Sequence, residues 1–90
     1  MEKNNEIVKV KIKIISSLNN GNYYNKRHTP IDNVCKRLAN IPCKKNKKSI
    51  KELRKEGILI IKPTYHGDDV SLNVKKKKEI DKYLSKLKYQ

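Results

Sequence analysis

Ninety residues suffice for one domain with one small core, because chains divide into units of about 100 to 200 residues. Lys plus Arg number 23 against 9 Asp plus Glu, a formal net charge of +14, which points to an anionic partner. Hydrophobic residues make up 36%, with no Trp and no Phe, enough for a core but not for a deep ligand cavity, so an enzyme that encloses a substrate is not expected. No apolar run approaches the roughly 20 residues of a membrane span, and the start MEKNNEIVKV lacks a signal-peptide pattern, so a cytoplasmic protein is expected. Cys35 and Cys43 are too few for a disulfide scaffold and are expected to stay reduced. Part of the lysine is compositional: 20 Lys stand against 3 Arg, with abundant Asn and Ile, as codon bias in an AT-rich genome produces. Glu does not keep pace, so the placement of the positive charge carries more information than its total.

Residues 7–18 alternate apolar and Lys from Val8 to Ile14, a strand pattern. Ile7, Val10, Ile14 and Leu18 also fall at helical spacing, with only Lys11 out of place. The elements that follow need a packing helix ahead of them, which favours helix. Asn19 to Asn22 end it, and Tyr23 to His28 form a loop. Thr29 as N-cap, Pro30 at the first helical position and Asp32 at the third start a second helix, whose apolar face is Ile31, Val34, Cys35 and Leu38. Asn40-Ile41-Pro42 stops it. A third helix runs from Lys44 or Lys45 to Glu56 and closes on Gly57. Its stripe is thin, Ile50 and Leu53 with Cys43 a turn earlier, whereas seven cations against Glu52 and Glu56 leave about +5 on one helix. Ile58 to Pro63 and Val70 to Val74 read as the strands of a hairpin turning at Gly67, with Asp68 and Asp69 near its tip. Asn73 caps a last helix over 75–88 that turns Ile80, Tyr83, Leu84 and Leu87 inward.

Two helices joined by a short turn, the second strongly basic and followed by Gly57-Ile58-Leu59 and a hairpin, resemble the winged helix-turn-helix superfamily, in particular small archaeal MarR-like and ArsR-like regulators. The resemblance covers residues 7–74. It implies an α+β winged-helix domain of three helices and a two-stranded wing, followed by the C-terminal helix, in a single unit over 1–90. It also implies duplex DNA as partner, read in the major groove by the helix after Pro42, and a role in transcription regulation near the nucleoid. Lys44, Lys45, Lys47, Lys48, Ser49, Lys51 and Arg54 are the contacts carried by that helix, and Lys62, Tyr65 and His66 those of the wing. Asn46 stands where the family commonly has an apolar residue.

Independently of family, a cationic helix that neutralises phosphates releases their counterions, so salt-sensitive binding is expected. Most of these residues suit phosphate; Arg54 is the one arginine on the helix able to grip guanine bidentately. The bland reading is a solvated charged face, and the rival function is docking to RNA, the ribosome or an acidic protein. His28, Cys35, Cys43 and His66 lack the spacing of a zinc clip, no nucleophile has a base and acid at motif spacing, and no phosphate loop exists. No cofactor, metal, small-molecule ligand or catalysis is expected. The last helix can close the monomer core or pair with its copy in a homodimer, which would set two recognition helices about 34 Å apart.

Overall fold

The computed structural model of the protein describes residues 2–89. The architecture is α+β. Helix α1 spans Glu2–Asn20, strand β1 Thr29–Pro30, α2 Ile31–Arg37, α3 Cys43–Lys55, β2 Leu59–Thr64, β3 Gly67–Leu72 and α4 Lys77–Ser85. The three strands form an antiparallel sheet in the order β1-β3-β2. No described helix is long and apolar enough to cross a membrane.

The first segment is helical, as the 3.6-residue spacing predicts over the local alternation, and it extends beyond residues 7–18 at both ends. Helix wins because α1 packs against α2, α3, α4 and β3 together, burying Val10, Ile12, Ile14, Ile15 and Leu18. Lys11, the residue that interrupts the apolar face, reaches Glu56 at the end of α3, Nζ to Oε2 2.8 Å, with only 13% of its side chain exposed. The Tyr83 hydroxyl donates to the other Glu56 oxygen at 2.7 Å. One carboxylate thus ties the C-terminal end of α3 to both α1 and α4. Burial, and next the bond to Glu56, pushes the Tyr83 hydroxyl well above its ordinary pKa. An unfolded chain therefore loses this proton near pH 10 while the fold still holds it, and stability falls as pH rises past that point. Tyr83→Phe is expected to lessen the alkaline loss seen in urea titrations run at a series of pH values above about 9.

The second helix differs from expectation at its start. Thr29 and Pro30 are strand, paired with Val70 and Asp69 of β3, so Thr29 is no N-cap and α2 begins at Ile31 without a side-chain cap. The reason is competition for backbone: Thr29 is 3% exposed and its amide and carbonyl belong to the sheet, while its hydroxyl accepts from Asn33 Nδ2 at 3.3 Å. Asp32 still lies in the first turn, where the helix dipole favours it.

At the far end of α3 the expected glycine closure holds. Gly57 has φ +79°, its N–H donates to Arg54 O at 2.9 Å and the Ile58 N–H to Leu53 O at 3.0 Å, a Schellman closure with Leu53 and Ile58 buried against each other's turn. The hairpin turns immediately before Gly67: Thr64 pairs with Gly67, leaving Tyr65 and His66 as the tip. β3 therefore includes Asp68 and Asp69, and neither acid caps the hairpin. Asp69 is 6% exposed and takes His28 Nδ1 at 2.6 Å. Asn73 accepts from the Lys75 N–H at 3.1 Å as a cap, though the first turn it opens, Val74–Lys76, is a 3-10 turn. Of the last helix's inward residues Ile80 is fully buried, whereas Leu87 is 39% exposed.

The cysteines correct the sequence expectation outright. Cys35 and Cys43 form a disulfide, Cα to Cα 5.2 Å, instead of lying as thiols on an apolar face. The turn between α2 and α3 folds back far enough to bring them together, a proximity that local pattern does not contain.

Candidate nucleic-acid interface

α3 is anchored on one side and open on the other. Asn46, Ser49, Ile50 and Leu53 face inward, each at most 3% exposed. At about 100° per residue, Lys44, Lys48, Lys51 and Lys55 fall on the opposite side as a single exposed stripe, at i, i+4, i+7 and i+11. The stripe is about 17 Å long at 1.5 Å per residue. Lys55 belongs to it although the resemblance did not nominate it, and the signal that finds it is this spacing.

Lys47 and Arg54 flank the stripe on the hairpin side. With Lys51 they form one wall of a groove of 370 Å³ whose apolar lining includes Ile31, Ile50 and Ile61 and whose opposite wall includes His66 and Asp68. Asp32 also lines it. The cationic wall can take an anion, whereas the two carboxylates disfavour one on the far side, so a phosphate chain is directed toward α3.

Two of the ten nominated contacts are placed elsewhere, and a third is partly engaged. Ser49 is 3% exposed and sits under α3, so it cannot touch a partner; its spacing of three and four from Asn46 and Leu53 puts it on the inner face. Lys62 lies on the outer face of the sheet, opposite Asp69, and shares a shallow hollow with Lys26 and Lys75, away from the groove beside α3. Lys45 turns to α1 and meets Glu6, Nζ to Oε1 2.5 Å; that bond, then the attraction of its charge, holds the Glu6 carboxyl below its ordinary pKa. The pair is exposed and adds little to stability. Tyr65 is fully exposed at the tip, its ring edge-on to His66 at 5.1 Å. Lys55 has a distant companion in Glu52 at 3.9 Å. Lys44, Lys47, Lys48, Lys51 and Arg54 have no ion-pair partner among the described residues.

Asn46 takes the place of an apolar residue by bonding. Its amide donates to Ile41 O at 3.4 Å, fastening the first turn of α3 to the loop before it, while its Oδ1 is buried without a partner among the described residues. The two tyrosines of the loop do not present free faces for stacking. Arg27 and Arg37 lie over the Tyr23 ring, 5.1 and 5.2 Å from its centroid, and Lys77 Nζ lies over the Tyr24 ring at 5.2 Å. His28, His66 and the joined cysteines stand apart, and no group of three or more His, Cys, Asp or Glu among the described residues could hold a metal.

No protein-family model, curated protein or solved structure matches this chain. The interface therefore rests on its own geometry and charge.

Proposed function

We propose that the chain is a winged helix-turn-helix domain that binds duplex DNA, as a transcription regulator associated with the nucleoid. The observation that carries this is the outward stripe of α3: cations on one side of a helix whose other side is locked into the core. An α-helix about 10 to 12 Å across fits a major groove about 12 Å wide. Lys44, Lys48, Lys51 and Lys55 then lie against phosphates, Lys47 reaches the strand beside the hairpin, and Arg54 is the residue suited to a guanine edge. His66 and Tyr65 project toward the flanking backbone. The helix, short turn, basic helix and hairpin follow one another in the order that carries the family resemblance. α4 commits Ile80 and Tyr83 to its own domain, so a homodimer through the last helix would have Leu87 as its exposed apolar contribution.

The test is affinity for mixed-sequence duplex DNA, AT-rich duplex and structured RNA over a salt series. Five phosphate contacts predict a log-log slope of about −4.5 on B-DNA. RNA bound more tightly than either duplex at every salt concentration would replace this function with RNA or ribosome association.

A further inference from the structure

The chain's two cysteines close a covalent ring around the turn that sets the angle between α2 and α3. Cys35 lies in the second turn of α2 and Cys43 is the first residue of α3. Apart from their disulfide, the turn is held by few bonds. The Ile41 N–H donates to Leu38 O at 2.9 Å, the Lys45 and Asn46 N–H groups to Pro42 O at 2.9 and 3.2 Å, and the Asn46 side chain to Ile41 O at 3.4 Å. α2 has seven residues, too few to persist as a helix without tertiary support, and it sends a single fully buried side chain, Val34, into the core. The placement of the first turn of α3 against α2 thus leans on this bond, while Ile50 and Leu53 hold the rest of α3 in the core.

That bond is reachable. Both cysteines are half-buried. Cys43 sits at a helix N-terminus and is followed by Lys44 and Lys45, while Lys36 and Arg37 follow Cys35.

Building on the DNA-binding function above, we propose that Cys35–Cys43 is a redox switch for the α3 interface: the disulfide form binds duplex DNA, and the dithiol form, with the first turn of α3 released, binds it weakly. In reduction, one thiolate of an external dithiol attacks a sulfur of the bond and expels the other as thiolate. The second thiol of the reductant then resolves the mixed disulfide. Cys35 and Cys43 each end protonated and the reductant carries the new disulfide, a transfer of two electrons and two protons. A small-molecule disulfide such as oxidised glutathione reverses this, the Cys43 thiolate displacing one glutathione and the Cys35 thiolate the second.

The experiment compares the oxidised protein with the dithiothreitol-reduced protein. Their state is verified by the mass of two hydrogens, and duplex affinity and amide hydrogen exchange are measured on both. If reduction leaves the first turn of α3 correctly seated in about a tenth of molecules, affinity falls about tenfold; the amides of Asn46, Lys47 and Lys48 exchange faster, and Cys35→Ser with Cys43→Ser reproduces the reduced protein and ignores dithiothreitol. Equal duplex affinity in the two forms would overturn the switch whatever the exchange rates, as would thiols that oxidised glutathione fails to join. If the oxidised protein binds no duplex, the DNA-binding function has failed instead, and the exchange data alone decide whether the bond governs α3.

Discussion

Replacing Lys48 and Lys51 together by alanine is expected to weaken duplex binding about 60-fold at 0.1 M salt, since each lost phosphate contact removes a factor of roughly eight at that concentration. The log-log salt slope should become shallower by about 1.8. Both side chains are exposed and neither has an ion-pair partner among the described residues, so the thermal midpoint should hardly move. Lys26→Ala with Lys62→Ala provides the control, because it lowers the net charge by the same two units on the outer face of the sheet. Screening over about 10 Å at this ionic strength confines its effect to a small fraction of the first. Equal losses in the two double variants would mean that diffuse charge, rather than α3, holds the nucleic acid.

Leu53→Ala should cost about 3 to 4 kcal/mol, a large share of the 5 to 15 kcal/mol that such domains possess. Leu53 is fully buried, and its carbonyl accepts the Ile58 N–H in the closing turn of α3 at 3.0 Å. Deleting its side chain empties the core directly beneath the cationic stripe. Urea unfolding followed by circular dichroism measures the loss; a change below about 1 kcal/mol would show that α3 is not anchored through this residue.

The parts of the fold carried by short-range signals could be read from the residues. Gly57 announces the end of α3 because a left-handed closing residue is a local requirement, and Ile50 with Leu53 marks the inner side of that helix by spacing alone. What could not be read depends on partners distant in the chain. β1 is two residues long and exists only through pairing with β3, so Thr29-Pro30 looks like a helix start. Asp69 looks like an exposed tip residue until His28, 41 positions away, is seen to bury it. Lys11 looks misplaced on an apolar face until Glu56, 45 positions away, receives it. The disulfide is of the same kind: separation by eight permits it, and only the fold-back at Pro42 realises it. For the candidate interface, the location on α3 was legible from charge and capping, whereas the division of its lysines among stripe, groove and α1 required three dimensions. Ser49 could have been removed from the contacts by its spacing from Asn46 and Leu53.

Backbone and side-chain chemical shifts of the 15N-labelled protein, followed while a short mixed-sequence duplex is added, test the interface most directly. The largest changes should fall on Lys44, Lys47, Lys48, Lys51 and Arg54, with smaller ones at His66, and the outer sheet face at Ile60, Lys62 and Ser71 should stay silent. Changes concentrated on that outer face or on α4, with α3 unmoved, would contradict the assignment of α3 as the nucleic-acid-binding element.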